Sequence, residues 1–170
     1  MRSEWVCSDI MKHIFAALTY ENRLACEVSL RTGLRIGDVL ALKSDKLFQY
    51  NGRFTIKEQK TGKPRRVYIP LDLLDKLRKV AGRYYVFENR VDPRRPRTRQ
   101  AVFKDLKRAA RAFRVHENVA PHSLRKAYAV EWYAKTGDIK KVQGLLNHSD
   151  EAVTMLYALA DCIDKKRKRC

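Results

Sequence analysis

Apolar residues recur at helical spacing from Glu4 to about Tyr20 and again from Asn22 to Thr32, with Gly33 placed to stop the second segment. A third, shorter helix is expected from Ile36 to Lys43. The period then changes: LFQY, the turn pair Asn51-Gly52, RFTIKEQ, the turn segment KTGKP and RRVYIP read as three short antiparallel strands. Helical spacing resumes at Leu71 to Val80, YYVFE fits either state, and NRVDPRRPRTRQ reads as an arginine-rich loop punctuated by proline. Thr98 can cap a helix running to about Arg114, and three more helical segments follow Pro121 and end near Ala160. Neither an internal repeat nor a dividing linker interrupts this order. The pattern predicts one α+β domain, mostly helical, with a small three-stranded antiparallel sheet.

Length and composition are those of a globular domain able to bury a core: 170 residues, 45% hydrophobic and 33% charged. Charge changes the picture. The 37 Lys and Arg residues outnumber the 19 Asp and Glu residues, for a net charge of +18, which favours a polyanionic partner. Double-stranded DNA is the first candidate, ahead of RNA or an acidic membrane. No apolar run approaches the roughly eighteen residues of a membrane span, and MRSEWVCSDIMK lacks the features of a secretory signal, so a cytoplasmic, DNA-associated protein is expected. Cys7, Cys26, Cys162 and Cys170 show no CxxC pair or metal-ligand spacing, which predicts free thiols and neither zinc nor a disulfide framework.

Three separated segments carry the candidate chemistry. In RTGLRIGDVLALK, Arg35 follows the helix-stopping Gly33 at the edge of the next helix. In KEQKTGKPRRVYIP, Lys60 lies in a hairpin from which a long side chain can reach away from the sheet. In PHSLRK, His122 and Arg125 are i,i+3 neighbours on one face of a helix that starts near Pro121. Taken singly these are ordinary features: a helix-start histidine, solvated surface cations, and, at Tyr157, a half-buried tyrosine beside Val153 and Leu156.

Their order is not ordinary. TGLR before a helix, the hairpin lysine of KTGK, HSLR, LLNHSD and the terminal TMLY together resemble the catalytic domain of the tyrosine recombinase (phage integrase) family, from roughly Glu4 to Asp161. The resemblance implies a catalytic domain over residues 1–161 and a basic tail over 162–170. It also implies that the helical core-binding domain usual ahead of such a domain is absent, so that the chain is either a catalytic fragment or a minimal enzyme. Two positions depart from the common pattern. Gly37-Asp38 stands where many relatives have Ser-Glu, and Asn147 where glycine is usual.

The implied activity is site-specific DNA recombination or integration on behalf of a mobile element or a chromosome. A phosphodiester under attack gathers negative charge on its non-bridging oxygens, and Arg35 and Arg125 offer planar, permanently charged donors for them. Losing one such preorganised donor typically raises a barrier by about 2.7 to 4 kcal/mol. By the resemblance, Tyr157 is the nucleophile, leaving a 3′-phosphotyrosyl link and a free 5′-hydroxyl, so that strands rejoin without ATP. A phenol with a pKa of about 10 needs help losing its proton, which falls to His122. Lys60 is the acid for the departing 5′-oxygen, His148 donates to a phosphate oxygen, and Asp38 orients the cationic cluster. With that many cations present, neither a metal nor any other cofactor is called for.

Arg90, Arg94, Arg95, Arg97 and Arg99 of the loop, and Lys63 of the hairpin, are candidate contacts to the DNA backbone, and Lys165 to Arg169 a further one. Trp132 and Tyr133 read as core or subunit contacts. Recombination chemistry implies self-assembly on DNA as a dimer or tetramer. Two alternatives stand beside this reading: a type IB topoisomerase-like strand swivelase, which relaxes supercoils as a monomer, and a DNA-binding module that keeps the fold without turnover.

Overall fold

In a computed structural model of the chain, residues 3–146 are described. His148, Tyr157, the last expected helical segment and the basic tail lie outside the described residues.

The order of elements is α1 (Ser8–Ala16), α2 (Tyr20–Thr32), α3 (Ile36–Leu40), α4 (Ser44–Gln49), β1 (Arg53–Lys57), β2 (Pro64–Tyr68), α5 (Leu71–Val80), α6 (Arg99–Ala112), α7 (Pro121–Thr136) and α8 (Ile139–Leu146). Helix α2 lies against α3, α5 and α7, and its Leu24, Ala25, Cys26 and Val28 are fully buried. Burial also pushes the Cys26 thiol well above its ordinary range; Cys26 and Cys7 are both free. Helix α5 shows how the local pattern drives packing: LDLLDKLRKV turns Leu73, Leu74 and Leu77 inward, each contributing about 1.5–3 kcal/mol by burial, and leaves its charges outside.

The ends of α2 and α6 are set by polar chemistry. Gly33 closes α2 in the left-handed conformation at φ 66°, and its amide bonds back to the Ser29 carbonyl. A side chain there is excluded a second way, because a Cβ would stand 2.5 Å from the ring of Tyr128 on α7. Thr98 caps α6, its hydroxyl accepting from the Ala101 amide at 3.2 Å. Within α6, Asp105 accepts from the Thr19 amide and hydroxyl, both at 3.0 Å, and from Asn22 Nδ2 at 2.8 Å. That knot fastens α6 to the start of α2.

The sheet has two strands among the described residues: β1 and β2 pair antiparallel, with Arg53 opposite Tyr68 and Lys57 opposite Pro64. The third expected strand, LFQY, instead ends α4. Leu47 is fully buried while Phe48 and Tyr50 are exposed, so the segment presents one apolar position to the core rather than an alternating face. YYVFE contributes isolated bridges, Lys43 with Tyr85 and Glu88 with Pro96, and no strand. Among the described residues no helix is long and apolar enough to cross a membrane.

Candidate active site

The α2–α3 junction, the β1–β2 hairpin, the start of α6 and the start of α7 surround a cleft of about 1050 Å³. Arg35, Asp38, Lys60, His122 and Arg125 all line it. Residues up to ninety positions apart in sequence thus meet at one surface, and the way each is held follows from the local fold.

Arg35 is the residue just ahead of α3, with extended backbone, and its side chain is 11% exposed. Nη1 donates to Glu58 Oε2 at 3.3 Å. Arg125 is buried, 1% exposed, one turn into α7. Its Nη1 donates to the Gly33 carbonyl and its Nη2 to the Leu146 carbonyl at 3.3 Å, so α2, α7 and α8 converge on this side chain. An arginine seated among backbone carbonyls keeps its charge, and it keeps its orientation as well. His122 is exposed on the same first turn, which Pro121 opens and where Ser123 Oγ accepts from the Ala120 amide at 3.2 Å.

Lys60 is exposed at the tip of the hairpin, whose turn is closed by the Glu58 amide to the Lys63 carbonyl at 3.0 Å and the Gly62 amide to the Glu58 carbonyl at 2.8 Å. Asp38, 4% exposed, accepts from the Gln59 amide at 2.9 Å through Oδ1. Its observed contact is therefore with the hairpin backbone beside Lys60, and Oδ2 has no hydrogen-bond partner among the described residues.

Two residues not singled out in the sequence organise this site. Glu58 has a fully buried carboxylate: Oε1 accepts from Arg65 Nη1 at 3.1 Å, and Oε2 from Thr61 Oγ1 at 2.9 Å as well as from Arg35. Burial alone pushes this carboxyl up, but hydrogen bonds from Arg65 and Thr61, with the charges of Arg65 and Arg35, outweigh it and hold the group below the usual carboxylate range. Arg65 in turn donates through Nη2 to the Thr32 carbonyl at 2.8 Å. An acid two residues before the hairpin lysine was the available signal, masked by its place in an apparently ordinary strand. Arg99, Gln100, Phe103 and Lys107 of α6 also line the cleft, and of these only Arg99 was expected.

The arginines of the 90–99 loop divide. Arg94 and Arg99 are exposed, and Arg95 is exposed and paired with Asp92 at 3.3 Å. Arg97 turns inward: 11% exposed, it donates to Asn22 Oδ1 at 3.1 Å and lies 4.0 Å from Glu21. Lys63 is exposed on the hairpin.

The sequence pattern that defines the phage integrase family matches residues 4–162. The chain belongs to that family. It is 32% identical over 132 residues to the "Probable integrase/recombinase YoeC" of Bacillus subtilis (strain 168), covering 75% of this chain and 71% of that one. It is 31% identical over 151 residues to the "Tyrosine recombinase XerD" of Ralstonia nicotianae, covering 84% of this chain and 49% of that protein. This family member spans about half the length of most of the curated relatives it matches. Its fold is that of a lambda integrase fragment, residues 75–356, solved as a dimer bound to a COC′ core site: TM-score 0.73 at 23% identity, covering 94% of this chain and 60% of the other.

Proposed function

We propose that this phage integrase family domain cuts and rejoins duplex DNA at specific sites through a covalent link to Tyr157. The observation that carries the reading is the convergence of Arg35 and Arg125 with Lys60 and His122 on one cleft. Two fixed guanidinium groups offer paired donors to the non-bridging oxygens of one phosphodiester. In the first step the Tyr157 phenolic oxygen bonds to phosphorus as the bond to the 5′-oxygen breaks. The phenolic proton passes to His122, and the leaving oxygen takes one from Lys60. His148 donates to a phosphate oxygen. Rejoining is the reverse attack by a 5′-hydroxyl. The net charge of +18 and the exposed Arg94, Arg99 and Lys63 suit a DNA backbone, and Arg97 is better described as part of the scaffold. Relatives named as DNA-bound dimers and tetramers of lambda integrase support assembly of several copies on DNA.

The test uses the full chain, EDTA, and a pool of nicked duplexes of random sequence. Wild type should become attached to a 3′ end, and Tyr157→Phe should bind DNA without attaching. Attachment by the Phe variant removes Tyr157 from the role, and a wild type that binds without attaching favours a module that only binds DNA. Exchange between two captured sites, against relaxation of a supercoiled plasmid by a monomer, separates a recombinase from a swivelase.

A further inference from the structure

Glu58 stands where β1 gives way to the hairpin turn, and its two oxygens reach three different parts of the site. A carboxylate with no exposure is costly to fold unless charge and hydrogen bonds compensate it, and removing one partner exposes that cost. Here the compensating groups are Arg35, which lines the cleft, Thr61, which follows Lys60 in the turn, and Arg65. Arg65 continues the connection to the Thr32 carbonyl and, at 3.5 Å, to the Gly33 carbonyl that also receives Arg125. A single buried acid therefore ties the hairpin carrying Lys60 to the loop carrying Arg35, and through Arg65 to the acceptor of Arg125.

We propose that Glu58 is a positioning residue for strand cleavage: it holds Arg35 and the Lys60 turn at one fixed spacing, so that the group gripping the phosphate and the group protonating the leaving oxygen act on the same phosphorus. This rests on the strand-transfer reading above. A glutamate that served only the fold would leave the chemistry of a folded, DNA-bound variant intact. A positioning residue changes the rate of that step, and changes it differently according to how much the leaving group needs a proton.

The experiment measures single-turnover attachment on a nicked duplex captured by wild type from the random pool, made with either the natural 5′-oxygen or a bridging sulfur at the scissile phosphate. A thiolate departs without a proton, so the contribution of Lys60 drops out. Thr61→Val removes one hydroxyl from a half-buried turn and is expected to slow the oxygen substrate about tenfold while leaving the sulfur substrate near the wild-type rate. Glu58→Gln frees Arg35 as well, and is expected to slow both substrates, the oxygen one by about 10²-fold or more, with DNA affinity essentially unchanged. Wild-type rates in a Glu58→Gln variant that melts cooperatively overturn the proposal. If that variant does not fold, Thr61→Val decides alone, and equal slowing of its two substrates, or none, overturns it. A wild type that never attaches to DNA removes the strand-transfer reading and this proposal with it, whereas attachment with unchanged variant rates removes this proposal only.

Discussion

The backbone amide of Gln59 donates to Asp38 Oδ1 at 2.9 Å, fastening the residue before Lys60 to the first turn of α3. Arg35 immediately precedes that turn, so the aspartate fixes the hairpin relative to Arg35 from the α3 side. An acid as short as aspartate suffices for this contact because its acceptor has to reach only a backbone N–H. Asp38→Ala is expected to slow attachment to DNA by about 10²-fold through displacement of the hairpin. Asp38→Asn, which keeps a side-chain carbonyl acceptor, should retain much more of the rate. Single-turnover attachment by the two variants checks this, and equal loss in both would show that the carboxylate charge matters rather than the hydrogen bond.

Gly33 predicts a coupled loss of stability and activity. An alanine there must adopt φ 66° and meet the Tyr128 ring at 2.5 Å. The backbone conformation alone costs about 1–3 kcal/mol, and each kcal/mol lowers the melting temperature of a domain this size by about 2–4 °C. The Gly33 carbonyl also accepts from Arg125 and Arg65, so a shift at this residue moves the guanidinium that lines the cleft. Gly33→Ala should melt lower than wild type and, assayed well below its own melting temperature, still attach to DNA more slowly. Full activity in the cool would separate the turn from the site.

What the sequence made legible follows what local chemistry determines. The helix stop at Gly33, the cap at Thr98 and the span of α5 are written in neighbouring residues, and each appears where expected. LFQY reads as a strand because four residues cannot distinguish the two periods; the single buried Leu47, followed by exposed Phe48 and Tyr50, belongs to the end of helix α4. Arg35, Lys60, His122 and Arg125, which line one cleft, stand out by their order along the chain, but Glu58 and Arg65 do not, since their significance lies in contacts to Arg35, Thr32 and Gly33 across the fold. Arg97 shows the converse: its arginine-rich neighbourhood suggested DNA, while its position opposite Asn22 gives it internal work.

The two kinds of loop arginine should therefore separate experimentally. Arg97→Ala leaves Asn22 Oδ1 without its donor in a part-buried position and is expected to cost about 1.5–3 kcal/mol of stability. Arg94→Ala and Arg99→Ala, both at exposed positions, should leave the melting temperature near wild type and weaken DNA binding. Each lost phosphate contact reduces the slope of log affinity against log salt by about 0.9. Thermal melts together with binding titrations at several salt concentrations test this; a reduced salt slope in Arg97→Ala with unchanged stability would return that residue to the DNA surface.

Acid should destabilise the domain through two carboxylates. Burial alone pushes Asp105 up, yet hydrogen bonds from Asn22, the Thr19 amide, Arg108 and the Thr19 hydroxyl hold it below the ordinary range, as Arg65, Thr61 and Arg35 do for Glu58. In the unfolded chain these groups take up protons near pH 4, at about 3.9 for Asp and about 4.3 for Glu, whereas the folded chain resists protonation to lower pH. Across that window the unfolded state binds more protons, so unfolding free energy rises with pH. The stabilisation is complete above about pH 5 to 6 and is lost as pH falls through 4 toward the lowered folded values. These two groups should accordingly give the melting temperature little dependence on pH near neutrality and make it drop in acid. Asp105→Asn is expected to melt lower than wild type at pH 7, with the two curves converging in acid as wild type loses the same charge. Curves that stay parallel down to pH 3 would mean that the Asp105 carboxylate contributes no pH-dependent stability to the knot between α6 and the start of α2.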